Sequence, residues 1–330
     1  MFKVSQSKIK TWRRCRQAFD YRYNQNLRKK VIKRPLAFGT LVHRMLDESA
    51  NKRDPFKVLD NLSLKELKLF KEEEAEYGNL IQTVRDVMAT YFEYWRNRPL
   101  RFLPTNGEYT EIEFEIEVAP GILWNGRLDG IARTWTKLRA LVEHKTFTHK
   151  PPDDERWRNL QSSTYFRAIE MMGWKPVEAM CWNYIRSKEP TVPQELKDGT
   201  LSVKKIDTLP IVLDRALHGV EHQFKYEEFE RSVVERLPDW FDRIITPISK
   251  TTVNEVFDQF VASAVEARDH HQDPPVMNIE RHCSWCDYEP LCRARLQGND
   301  FDFIKERQYE IDKGDHKKKK VRERSSRKKA

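Results

Sequence analysis

The chain has 330 residues, 39% hydrophobic and 11% aromatic with nine tryptophans, so it can bury one large core or two modest ones despite 34% charged residues. That composition excludes a disordered chain. No apolar run approaches the roughly eighteen residues of a membrane span, and MFKVSQSKIKTW lacks a secretory leader's apolar stretch, so a soluble cytoplasmic protein is expected. The net charge of +9 is uneven: residues 313 to 330 hold ten Lys or Arg against Asp315 and Glu323, leaving the body near neutral.

In chain order, SQSKIKTWRRCRQAFDYRYNQNL predicts one helix, with Ser5 or Ser7 as cap and Ile9, Trp12, Phe19 and Tyr23 at helical spacing. After Pro35, FGTLVHRMLDESA predicts a second helix capped by Thr40, with Val42, Met45 and Leu46 toward the core. Residues 63 to 76 read as a charged helix. Residues 79 to 98 read as an amphipathic one, with Ile81, Val84, Met88, Tyr91, Phe92 and Trp95 on one face and Pro99 as its stop. From Glu108 the period becomes two: Ile112, Phe114, Ile116 and Val118 alternate with Glu111, Glu113, Glu115 and Glu117, a half-buried strand whose glutamates read as a solvated face.

Pro120-Gly121 turns the chain into a second strand, ILWNGRLDGIA, and RALVEHKTF supplies a third, an antiparallel meander. A helix over 153 to 172 followed by a strand in EAMCWNYI makes that helix a crossover within one sheet. Residues 188 to 209 are polar and irregular, helices are expected near 226 to 243 and 253 to 269, and residues 283 to 292 are cysteine-rich. The expected organisation is one domain over 1–312, with a helical part (1–100), a sheet (108–186) and a helical and cysteine part (222–296), then a disordered basic tail (313–330).

The chemistry concentrates in GRLDG at 126 to 130 and VEHK at 142 to 145. Alternate strand residues share a face, so Glu143 and Lys145 point one way and His144 the other, while Asp129 can reach the same edge. Two converging carboxylates form a hard-oxygen site for Mg²⁺ or Mn²⁺, and an adjacent lysine can orient or deprotonate water or steady phosphate charge. An isolated Glu-x-Lys is usually a surface ion pair; here it ends the apolar run LVEHK, where a charged pair without a partner is costly. Gln161 and Tyr165 share one face of the crossover helix, suited to nucleic-acid contacts or to ordinary packing. His43 fits either a third metal ligand or a helix histidine satisfied by Asp47 one turn on.

Cys283, Cys286 and Cys292 form C-x2-C-x5-C, and Cys15 is a candidate fourth ligand. Four thiolates suit tetrahedral zinc or an iron–sulfur cluster, and spacing does not separate them. Cys181, in the apolar AMCWNYI, reads as a core residue.

Together these motifs resemble the RecB-like branch of the PD-(D/E)xK nucleases, in particular its iron–sulfur members: the CRISPR-associated adaptation exonucleases, the AddB nuclease subunit and related phage exonucleases. The likeness runs from residue 5 to 292. It rests on S-x-S-x-I (Ser5, Ser7, Ile9), C-x3-F-x-Y-x-Y (Cys15, Phe19, Tyr21, Tyr23), G-x3-H (Gly39, His43), G-x2-D (Gly126, Asp129), E-x-K (Glu143, Lys145), Q-x3-Y (Gln161, Tyr165) and the three late cysteines. Arg16 departs from it, since relatives often carry proline after the first cysteine.

The resemblance implies an α/β restriction-endonuclease-like core, a mixed sheet flanked by helices, with helical insertions and a four-cysteine clasp joining the two ends of the chain. It implies a DNA exonuclease of recombination, repair, phage replication or CRISPR adaptation, acting on single strands or free ends, with a helicase or recombination partner. Asp129, Glu143 and Lys145 would be catalytic. His43, Asp129, Glu143 and the carbonyl of His144 would hold Mg²⁺ or Mn²⁺, Gln161 and Tyr165 would steer DNA, and Cys15, Cys283, Cys286 and Cys292 would hold a [4Fe-4S] cluster. With no G-x4-G-K-[ST] motif, a free-standing nuclease or a subunit is expected rather than a fused helicase. Two competing readings are a non-catalytic DNA-binding or scaffold derivative, against which the intact triplet argues, and a zinc-stapled RNA-binding protein, for which the basic tail speaks.

Overall fold

A computed structural model describes residues 1–30, 34–62, 80–156, 159–203, 206–218 and 223–312. The helix expected over 63–76 and the tail at 313–330 lie outside them. The main elements in chain order are β1 (Phe2–Val4), α1 (Gln6–Arg14), α2 (Arg34–Ala50), α3 (Leu80–Tyr94), β2 (Thr110–Ala119), β3 (Ile122–Arg133), β4 (Arg139–Phe147), α4 (Leu160–Met171), β5 (Ala179–Arg186), β6 (Phe241–Pro247), α5 (Lys250–His270) and α6 (Glu289–Gln297). They divide into two compact units, one of Met1–Ile32, Glu115–Gly126 and Glu255–Ala330, the other of Lys33–Phe114 and Arg127–Asn254. No helix among the described residues is long and apolar enough to cross a membrane.

The second unit is a mixed sheet with helices packed on it. Antiparallel pairing sets Gly130 opposite Val142 and Arg133 opposite Arg139, joining β3 to β4. β4 and β5 run parallel from Ala140 opposite Ala179 to Phe147 opposite Arg186. That pairing needs a long connection, and α4 supplies it. Asn159 caps α4, its Oδ1 accepting the Gln161 and Ser162 amides.

β6 then pairs antiparallel with β5, Phe241 opposite Ile185. This strand corrects the expected helix over 226 to 243: the helix there covers only Glu227–Glu235, because Pro238 stops it, and Phe241–Pro247 adds an edge to the sheet. The core on one face joins Phe38, Leu41, Val42 and Met45 of α2, Val84, Val87, Met88 and Tyr91 of α3, and Ile185, Trp240 and Phe241. The spacing of Val84, Met88 and Tyr91 turns one stripe of α3 inward. Truncating a fully buried side chain such as Met88 to alanine costs about 2–5 kcal/mol.

α2 begins six residues before Thr40. Pro35 sits in its first turn, where a missing N–H costs nothing, and Thr40 bonds back to the Leu36 carbonyl instead of capping.

In the first unit, Ser5 caps α1 by accepting the Lys8 amide at 3.2 Å. The single helix expected through residue 27 is broken at Cys15, whose backbone is extended (φ −165°, ψ 119°), and the chain resumes helically at Arg16–Phe19 and Asp20–Asn24. The break seats Cys15 in a cluster with Ala18, Tyr21, Leu27, Tyr288, Leu291 and Tyr309, against which Cys286 and Cys292 pack. The Tyr288 hydroxyl donates to the Leu27 carbonyl at 2.7 Å, and Leu27–Lys29 pairs with Tyr309–Ile311. Elsewhere in this unit β1 runs parallel to Ile122–Trp124, and Trp124 is fully buried against Phe257 and Phe260 of α5.

Candidate active site

β3 and β4 lie side by side inside the mixed sheet and carry Asp129, Glu143 and Lys145 close together. Asp129 Oδ2 accepts the His144 main-chain N–H at 2.7 Å, and Lys145 Nζ donates to Glu143 Oε1 at 2.5 Å. Glu143 Oε2 is buried and has no hydrogen-bond partner among the described residues. A buried, unmatched carboxylate oxygen is expensive unless a cation or proton meets it.

Two glycines permit this packing. A Cβ on Gly130 would stand 2.6 Å from the Phe102 ring, and one on Gly39 would stand 3.1 Å from Thr146 Oγ1. Gly39 thus lets α2 lie close on β4, one turn before His43.

His43 Nδ1 lies 3.7 Å from Asp129 Oδ1. Asp47, the alternative partner for His43, is instead bonded by Thr110 and Asn51. Ligand atoms of His43, Asp129 and Glu111 all lie within 4.8 Å of one another.

Glu111 corrects the reading of the Glu111–Glu117 series as a uniform solvated face. Its backbone is left-handed (φ 53°), which takes it out of the strand's alternation, and its side chain is only 12% exposed with Arg127 at 2.6 Å. An alternating pattern carries no sign of such a twist. The one available signal was position: Glu111 stands at the start of the strand, where pairing is least binding.

Burial pushes the Asp129 carboxyl up to about 6, with the Glu111 charge adding and the His144 N–H opposing. Burial and the Asp129 charge push Glu143 up to about 7, against the pull of Lys145. Burial draws Lys145 down, but Glu143 and Asp129 together outweigh it and leave the ammonium's pKa raised. His43 is lowered by burial despite Glu111 and Glu143. The site therefore offers oxygen ligands that bind a proton or a metal and a lysine that keeps its charge.

Gln161 and Tyr165 share one face of α4, as their spacing requires, with the Gln161 amide donating to the Tyr165 hydroxyl at 3.2 Å. Tyr165 packs edge-on to Phe114, and burial, then the Glu143 charge, raise its pKa. The His144 side chain turns to the other face of the sheet, bonding Asn183 at 2.7 Å. In the first unit, burial, then the Cys15, Cys286 and Cys283 thiols, push the Cys292 thiol up to about 11, and Cys286 and Cys292 pack against the buried group that holds Cys15.

A mixed α/β sheet that sets an Asp and a Glu-x-Lys on neighbouring strands, beside a His-carboxylate cluster, groups oxygen and imidazole donors that could hold one divalent cation next to a charged lysine. The chain belongs to the PD-(D/E)XK nuclease superfamily, whose profile matches residues 3–293. Such nucleases use divalent metals such as Mg²⁺ or Mn²⁺, and His43, Glu111 and Asp129 are a group that could hold one. No curated protein matches the chain. A solved structure described as "Crystal structure of SSO0001" is similar at 11% identity over 89% of this chain and 87% of that one, with a TM-score of 0.30, too low to carry any argument.

A stability test follows from the raised carboxyls. Unfolded carboxyls titrate near about 4. A folded pKa above that value gives stability that is complete below about 4 and is lost as pH rises through the folded values of about 6 and 7. A cation on the carboxylates restores what is lost. The rise in Tm on adding Mn²⁺ should therefore be clearly larger at pH 8 than at pH 6 by scanning calorimetry. An equal rise at both would mean that these carboxyls do not take up the ion.

Proposed function

We propose that the protein is a metal-dependent DNA exonuclease, soluble in the cytoplasm, acting on single strands or free ends in recombination, repair, phage replication or CRISPR adaptation, alongside a helicase or recombination protein. One observation carries the reading: His43, Glu111 and Asp129 converge within 4.8 Å, beside a buried Glu143 oxygen that lacks a partner. The order of the RecB-like motifs supports the exonuclease assignment.

His43, Asp129, Glu143 and the His144 carbonyl would hold the ion, with Glu111 as a further acidic donor. A divalent cation bound there supplies Lewis acidity to the phosphodiester and lowers the pKa of water. The chain's own groups do the rest. The His144 N–H fixes Asp129 Oδ2 and leaves Oδ1 toward His43. Lys145, protonated and tied to Glu143, places a fixed positive charge where negative charge builds on phosphate. The Gln161 amide and Tyr165 hydroxyl orient the incoming strand.

A [4Fe-4S] cluster on Cys15, Cys283, Cys286 and Cys292 is the second part of the proposal. What supports it is that Cys15 sits in a buried group with Tyr21, Tyr288 and Leu291 against which Cys286 and Cys292 pack, together with the likeness to the iron–sulfur nucleases.

The direct test is metal-dependent cleavage of end-labelled single- and double-stranded DNA by the full-length protein. The metal preference tests His43 separately. Imidazole is a softer donor than carboxylate, so activity with Mn²⁺ should at least equal that with Mg²⁺, and His43→Ala should weaken the Mn²⁺ preference. A variant with unaltered metal dependence would remove His43 from the ligand set.

A further inference from the structure

Three adjacent strands lay a polar row across the face of the sheet opposite Glu143. In register, His144 pairs with Asn183 and Asn183 with Arg243. Asn183 is fully buried and His144 is 5% exposed, so the row persists only because its members satisfy one another.

The bonds give the row a direction. Arg243 Nε and the Tyr91 hydroxyl both lie 3.0 Å from Asn183 Oδ1, and Arg243 Nη2 lies 2.7 Å from the Tyr91 hydroxyl. A guanidinium only donates, so Tyr91 accepts from Arg243 and gives its own proton to Asn183. The doubly bonded Asn183 atom is therefore the oxygen, and its amide nitrogen donates to His144 Nδ1 at 2.7 Å. Nδ1 accepts, so neutral His144 carries its proton on Nε2, which has no partner among the described residues. The far end is anchored too: the Arg243 guanidinium lies 4.2 Å over the Trp95 ring and donates to the Arg98 carbonyl at 2.6 Å.

His144 is where this row meets the site: its main-chain N–H holds Asp129 Oδ2 at 2.7 Å, and its ring stands edge-on to the His43 ring with centroids 5.7 Å apart. We infer that the Tyr91–Arg243–Asn183–His144 row is a positioning device: it holds the His144 ring in place, and through the His144 peptide and the ring contact with His43 it sets Asp129 and His43 for a divalent cation. Asn183, Arg243 and Tyr91 are thus positioning residues of the metal site, bonded to His144 and to one another. The inference rests on the reading that Asp129 and its neighbours bind such a cation.

Asn183→Asp tests it with little change of shape. The carboxylate keeps an acceptor for Arg243 and Tyr91 but turns a second oxygen to His144 Nδ1, so a proton must move onto Nδ1. Full-length protein labelled with ¹⁵N-histidine should show an unprotonated His144 Nδ1 in the parent and a protonated one in the variant. Calorimetric titration with Mn²⁺, without DNA, should show binding weakened by about tenfold or more, the scale of lost outer-shell support. Tyr91→Phe, which deletes one hydroxyl, should weaken Mn²⁺ binding in the same direction by less. Parental Mn²⁺ affinity in folded Asn183→Asp and Tyr91→Phe variants would overturn the inference wherever the proton sits, as would a parent protonated on Nδ1. If Asp129→Asn binds Mn²⁺ as tightly as the parent, the metal-site reading itself fails, and the inference with it.

Discussion

Replacing Glu143, Asp129 or Lys145 should reduce DNA cleavage by at least about a hundredfold, the scale of removing one preorganised electrostatic group from an active site, while DNA binding and fold persist. The fold survives because of what each change leaves behind. Glu143→Ala removes an oxygen that has no partner and frees only Lys145, which is 34% exposed and can reach water. Asp129→Ala would orphan the His144 N–H at a cost of about 1–3 kcal/mol. Asp129→Asn is therefore the cleaner variant, since its amide oxygen still accepts that bond while the charge is lost. Lys145→Ala removes the cation that opposes the rise of Glu143, so its carboxyl should hold its proton to higher pH. Circular dichroism and DNA-binding titrations beside cleavage rates separate these outcomes from unfolding. Near-parental cleavage by Glu143→Ala would remove it from the catalytic set.

The second large effect is expected at the cysteines. If the proposed [4Fe-4S] cluster is bound, anaerobically purified protein is brown, and Cys283→Ser or Cys286→Ser should abolish that colour and lower the Tm sharply, whereas Cys181→Ser should leave the colour intact. Cys15 and Cys283 are 268 positions apart, so a cluster bridging them closes nearly the whole chain. In small metal-dependent domains, metal binding supplies about 10–16 kcal/mol of folding free energy. Cys286 and Cys292 are only partly buried beside the Tyr21, Tyr288 and Tyr309 cluster, and that packing alone must hold the two ends when the cluster is lost. Cys181 sits in a separate apolar group with Ala132, Ala140, Val142 and Ala179, so a hydroxyl there is a local packing cost. Stoichiometric zinc without iron would contradict the cluster.

The strand period alone separated Glu143 and Lys145 from His144, and the structure keeps them so: Lys145 bonds Glu143 while the His144 ring meets Asn183. The crossover between β4 and β5 was equally legible, because a helix between two apolar strands leaves little choice. Other features were not. Glu111 left its alternation through one left-handed residue, which no residue type marks unless it is glycine. The Phe241–Pro247 strand was hidden because an amphipathic helical period seemed to run on through Pro238. The first helix broke at Cys15 because its packing with Tyr288 and Leu291, from the far end of the sequence, outweighs local helical preference. At Cys15 a tertiary contact overrides the local pattern, and Glu111 and Cys15 both lie at the sites proposed to bind metal.

The central claim, that this site on the sheet hydrolyses DNA, is tested most directly with anaerobically purified full-length protein on 5′- and 3′-end-labelled single- and double-stranded DNA. Mn²⁺, Mg²⁺ or EDTA is added, with Glu143→Ala run in parallel. The account predicts metal-dependent release of short products from DNA ends by the parent and none by the variant. Intact DNA with every metal, or equal cleavage by parent and variant, would contradict it.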